Sequence, residues 1–160
     1  MEATGAERVV VLGDFFHARP DPAEPFPARL AEWLAGRPGL AMAAVPGNHD
    51  RHGGAGTLAG LVEWLPEGHR EPPFVFRHEP VADPAGYVLA GHLHPVVRLR
   101  GPAGDRLRLP VLWLTARAAV LPSFGTFTGG HPVAPGPGDR AWAFAPDAVV
   151  ELPVREAARA

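Results

Sequence analysis

The sequence predicts an α/β protein, with strands and helices alternating in its first half and mainly strands in its second. Three observations carry that expectation. Short continuous apolar runs, as in 8–12 and 40–45, suit strands buried on both faces. Stretch 28–36 (ARLAEWLAG) has apolar residues at helical spacing and a glycine stop. From Tyr87 onward the apolar runs are short and bounded by Pro and Gly.

Taken in order, 8–12 is a first strand ending in Gly13-Asp14, and a Pro-rich loop over 20–27 leads to the helix at 28–36. A second strand over 40–45 is broken by Pro46-Gly47. Stretch 57–65 (TLAGLVEWL) reads as a second helix with Thr57 as its N-cap. Strands follow at 74–77, leading into His78, and at 87–90, leading into Gly91-His92-Leu93-His94. Stretches 96–100 and 106–114 form a hairpin around a Gly/Pro turn, and its arginines alternate with apolar residues, which puts them on the wet face. Further strands are expected at 118–124, 141–144 and 148–152, with a Pro/Gly loop over 129–138.

The 160 residues amount to one domain, long enough for a sizeable core. Hydrophobic residues at 46% against 20% charged exclude a disordered chain. The absence of cysteine excludes disulfides, thiolate–zinc sites and thiol nucleophiles. Fifteen basic and 17 acidic residues leave a charge of −2, so no strong overall field favours nucleic acid or an anionic membrane, although a local patch stays open. No apolar run is long enough to span a bilayer and residues 1–8 lack a signal-peptide pattern, so a cytoplasmic protein is expected. All 15 basic residues are arginine, and Lys, Ile and Gln are missing, as in a genome rich in G and C. Against that background the one asparagine, Asn48, stands inside Gly47-Asn48-His49-Asp50 and calls for a chemical explanation.

Four polar clusters stand at the C-terminal ends of expected strands: Gly13-Asp14-Phe15-Phe16-His17, Gly47-Asn48-His49-Asp50, His78, and Gly91-His92-Leu93-His94. Strand ends that face the same way converge on one side of an α/β sheet. Carboxylate, amide oxygen and imidazole are ligands that divalent metals accept. Each cluster alone is a weak signal; the four together point to a metal site.

In this order, G-D-x-x-H, G-N-H-D, an isolated His and G-H-x-H, the chain resembles the calcineurin-like metallophosphoesterases from Val9 to His94. GDFFH is similar to the nuclease and phosphodiesterase branch of that superfamily. The Arg-rich hairpin and LPSFGTFTGG resemble a bacterial subgroup, the ligase-associated DNA damage response endonucleases. The resemblance implies a β-sandwich flanked by helices (α-β-β-α) with a two-metal site at its edge. In that site Asp14 would bridge two ions, Asn48, His78 and His92 would complete the second, and His94 would bind the first. His49 would act as general acid or transition-state stabiliser, with Asp50 orienting it. Such ions polarise a phosphoryl oxygen and acidify water. The ion would be Mn²⁺, with Fe²⁺ and Zn²⁺ also compatible.

The implied activity is metal-dependent phosphodiester cleavage, with DNA as candidate substrate and DNA-repair proteins as candidate partners. A small-molecule phosphatase or nucleotide pyrophosphatase is the alternative enzyme, and a non-catalytic metal-binding or interaction module the alternative from another class. The family pattern opens with an earlier Asp-x-His, yet residues 1–8 (MEATGAER) hold neither residue. The expectation is therefore a single domain over 1–160 that lacks the first strand, through a misplaced start, a fragment or decay of the site. Asp14 and His94 alone are few ligands for the first ion, so one bound ion or two stays open.

Other residues have blander readings beside their functional ones. His17 could stand near the metals or pack under Pro20, and Arg51 and His52 could meet phosphate or line a solvated loop. The hairpin arginines could contact phosphates or simply form a wet face. Trp33, Trp64, Phe15 and Phe16 read as core, and His69 and His131 as solvated loop residues.

Overall fold

The computed structural model describes residues 4–16, 25–50, 55–100, 104–125 and 129–154, and the chain divides into two units, Met1–His69 and Arg70–Ala160. His17, Arg51 and His52 lie outside the described residues.

In the first unit, β1 (Arg8–Leu12) pairs in parallel with β2 (Ala41–Val45), which pairs in parallel with the short β3 (Glu63–Trp64). The helix α1 (Phe26–Ala35) connects β1 to β2. Phe26, Leu30, Trp33 and Leu34 recur at helical spacing and turn toward the core, and Pro27 fits the first turn because its missing N–H has no partner to lose there. The end of the helix is covered by Arg37, whose guanidinium lies 4.3 Å from the Trp33 ring and donates to the Trp33 carbonyl at 2.9 Å. Phe16, Leu30, Ala44, Leu58 and Val62 form the buried centre, with Phe15, Trp33 and Trp64 packed against it. The core reading of these aromatics therefore holds.

The helix expected over 57–65 does not form. Ala55–Leu58 is a single 3-10 turn, and Gly60, at φ 82°, leaves the helical region. The chain then runs alongside β2, where the Leu65 N–H donates to the Ala44 carbonyl at 2.8 Å. Pairing with the open edge of β2 outweighs the local helical period.

β4 (His69–Glu71) begins on the last residue of the first unit, and the second unit continues with β5 (Phe74–Phe76), β6 (Tyr87–Ala90), β7 (Pro95–Arg100), β8 (Arg106–Leu114) and β9 (Ala118–Val120). It ends with β10 (His131–Pro132), β11 (Arg140–Ala145) and β12 (Ala148–Glu151). The sheet runs in the order β10-β7-β8-β9-β6-β5-β4, and β11 joins β8 to β12. Strands β5, β6 and β9 are parallel, whereas β7 with β8, and β8 with β11, are antiparallel. Val75, Val88, Ala90 and Ala118 are buried between the parallel strands; Leu109, Val111, Ala141 and Ala143 form a second buried cluster.

The strand expected over 118–124 stops at Val120, and Phe124 is fully exposed. His131 stands in β10 within the expected loop but is exposed, while His69 is half-buried in β4. The architecture is thus two mixed or parallel sheets with one α-helix among the described residues. No helix of the described residues is long and apolar enough to cross a membrane.

Candidate functional site

In the first unit the parallel register sets Leu12 beside Val45, so the loops after β1 and β2 leave from the same sheet edge. Gly13 (φ 86°) and Asp14 (φ 51°) both take left-handed backbone. That region is uncommon for a residue with a side chain and persists only where its surroundings hold it. Here the holding groups are visible. Asp14 Oδ1 accepts the His49 N–H at 3.0 Å, and Asp14 Oδ2 lies 4.0 Å from His49 Nε2, too far for a hydrogen bond. A Cβ on Gly47 would run into the Asp14 backbone nitrogen and Oδ1, so glycine permits the two loops to approach.

Asp50, only 4% exposed, holds the pair of loops together. Its Oδ1 accepts the Phe16 N–H at 2.9 Å, and its Oδ2 accepts those of Gly47 at 2.9 Å and Phe15 at 3.2 Å. The carboxylate expected to orient the His49 ring thus serves three main-chain donors, two of them directly after Asp14. The His49 ring instead faces Asp14, with its side chain 41% exposed. Asn48 is exposed on the same loop.

In the second unit, β5 and β6 run in parallel, and the Gly91 N–H donates to the His78 carbonyl at 3.1 Å. That bond puts His78, one residue beyond Arg77, next to the turn carrying His92. His78 is buried, and its Nε2 meets His92 Nδ1 at 2.9 Å with the rings edge to face. His92 (φ 59°) and His94 (φ 47°) are both left-handed. Asp14, His92 and His94 are the non-glycine residues with positive φ among those described.

The two imidazole nitrogens have a spacing compatible with ligands of a single ion. Two nitrogens bound at about 2.0–2.1 Å and at right angles stand about 3 Å apart, close to the 2.9 Å between these rings. Asp14, His78 and His92 each offer one ligand atom of a type that divalent ions accept.

One structural pair beside His78 was not anticipated from the sequence. Arg77 Nη2 donates to Asp83 Oδ2 at 2.8 Å, and Asp83 Oδ1 accepts the Ala85 N–H at 2.9 Å. The clue in the sequence is Asp83-Pro84-Ala85-Gly86, where an Asp side chain can cap its own turn. The Arg77 hydrogen bond, aided by that of Ala85, holds the Asp83 carboxyl below its ordinary value. A lowered folded-state pKa stabilises the fold above the free value of about 3.9 and is lost as pH falls through the folded value. Asp83→Asn is therefore expected to melt below the wild type at neutral pH, with the gap closing under acid conditions. Thermal melts from pH 7 down to pH 3 check this, and a gap that stays constant would contradict it.

A crystal structure of the Pseudomonas putida nuclease MPE resembles this chain with a TM-score of 0.76 and 34% sequence identity, over 91% of this chain and 71% of that one. The chain belongs to the family of that nuclease. No family model matches the chain, and no curated protein matches it. Identity at this level over nine-tenths of the chain ties it to the MPE nuclease by sequence as well as by fold.

Proposed function

We propose that the chain is a metal-dependent nuclease of the calcineurin-like metallophosphoesterase type, cleaving phosphodiester bonds in DNA within the cytoplasm, in a DNA-repair setting. The observation that carries this reading is the 34% identity to the MPE nuclease over 91% of the chain. The α-β-β-α sandwich belongs to the same proposal.

Asp14, Asn48, His78, His92 and His94 would hold the metal, with Mn²⁺ first and Fe²⁺ or Zn²⁺ compatible. A divalent ion there supplies charge stabilisation of the phosphoryl group and an acidic water. The protein's own groups divide the remaining work. Asp14 brings negative charge, and its Oδ1 is fixed by the His49 N–H. Asn48 offers an oxygen without adding charge that would repel phosphate. The half-exposed His49 ring can reach substrate and hand a proton to the leaving oxygen. Asp50 acts as a positioning residue, because it fixes the backbone on either side of that pair.

The test is Mn²⁺-dependent hydrolysis of a chromogenic phosphodiester and nicking of plasmid DNA by the full chain, beside Asp14→Ala. Both activities are expected in the wild type. Loss of a ligand should cost more than the 10–100-fold typical of a ligand's outer partners, so Asp14→Ala is expected to fall at least about 100-fold. Diester turnover without DNA cleavage would replace the nuclease by a small-molecule phosphodiesterase. No turnover from the folded chain would sink the enzymatic reading.

A further inference from the structure

We propose that the outer face of the β7–β8 hairpin binds the phosphate backbone of a nucleic acid. The register pairs Arg98 with Arg108 and Arg100 with Arg106. Residues two apart on a strand, and residues directly opposite across a ladder, share one face. All four guanidinium side chains therefore leave the same side, and all four residues are exposed. The other side begins with Val97 and Leu109, which pack into the buried cluster with Val111. The arginine face thus points away from that core.

Charge makes this face unusual. Four of the chain's 15 basic residues fall within 98–108, a stretch with one acid, Asp105, while the whole chain carries −2. Like charges directly across a ladder destabilise a sheet. Among the described residues, Arg98, Arg100 and Arg106 make no ion pair that would offset this. A bound row of phosphates offsets it directly. Guanidinium groups match phosphate oxygens with paired donors. With pairs about 5 Å across and steps of about 7 Å along the strand, Arg98, Arg100 and Arg106 give three points of a grid suited to a charged backbone, with no demand on base sequence. The choice of nucleic acid as the polyanion rests on the nuclease reading above; the arginine grid itself does not.

The test uses the full chain in EDTA, to suppress cleavage, with a fluorescently labelled DNA duplex over a series of salt concentrations. Each phosphate contact contributes about 0.9 to the slope of log affinity against log salt. The triple variant Arg98→Ser/Arg100→Ser/Arg106→Ser is expected to flatten that slope by roughly 2–3 and to lose about tenfold or more in affinity at low salt. Arg140→Ser removes an exposed arginine that pairs with Glu151, and it is expected to keep the wild-type slope. The triple variant should melt no lower than the wild type, since it removes repulsion and no buried contact.

Wild-type slope and affinity in the triple variant would overturn the proposal. So would binding of the wild type to phosphatidylserine vesicles with none to the duplex. DNA cleavage by the wild type with unchanged binding in the triple variant would sink this face and leave the nuclease. Binding through these arginines with no cleavage in Mn²⁺ would uphold the face and sink the nuclease.

Discussion

Replacing Asp50 by alanine is expected to destabilise the protein by about 3 kcal/mol or more, because buried main-chain donors left without an acceptor cost about 1–3 kcal/mol each. For a chain of this size that is a fall in melting temperature of roughly 6–12 °C. The Phe16 and Gly47 N–H groups are buried and close to ideal distance, and the Phe15 N–H adds a longer contact. Asp50→Asn is the sharper test. It keeps the volume, but its NH₂ must take the place of one carboxylate oxygen, and both of those positions face N–H donors. Asparagine is therefore expected to recover less than half of the loss. If Asp50 merely filled space, asparagine would restore stability in full. Because the same carboxylate holds the residues that follow left-handed Asp14, turnover per folded molecule should also fall in both variants, measured below their lowered melting points.

What was legible in the sequence follows the physics of each element. β1, β2, β6 and the β7–β8 hairpin are apolar or alternating runs closed by glycine or a turn, and the structure keeps them within a residue or two. The clusters at strand ends were legible because parallel strands carry their loops to a common edge, as Leu12 beside Val45 does. β3, β4 and β10 were not, since strands of two or three residues have no period of their own and exist through their neighbours. The 57–65 stretch has a helical apolar pattern, yet the φ of Gly60 and the free edge of β2 decide its conformation. Within the site, His78 beside His92 followed from the motifs. The task of Asp50 did not, because accepting main-chain N–H groups leaves no mark on side-chain spacing. Nor did the left-handed backbone of Asp14, His92 and His94, which depends on what holds each turn from outside.

If the proposed metal site is right, Mn²⁺ is expected to raise the stability of the folded protein and His92→Ala to abolish that gain. An ion that binds only the folded state, present at about 100 times its dissociation constant, stabilises by about 2.7 kcal/mol, or roughly 5–11 °C in melting temperature for a chain of this size. Without the ion, His78 Nε2 and His92 Nδ1 are joined at 2.9 Å, so one ring must donate a proton and the other accept it. Metal binding requires both nitrogens as bare acceptors, so an ion and this hydrogen bond compete for the same two atoms. His92→Ala removes one nitrogen of the pair and so breaks the paired imidazole ligation of the proposed site. Exposed His131 is the control: His131→Ala should keep the full Mn²⁺ shift, which excludes a loss caused by any missing histidine. An unchanged shift in His92→Ala would remove the imidazole pair from the metal site. Loss of the shift together with at least about a 100-fold loss of phosphodiester turnover, beyond what a ligand's outer partners usually contribute, would tie the pair to both binding and chemistry.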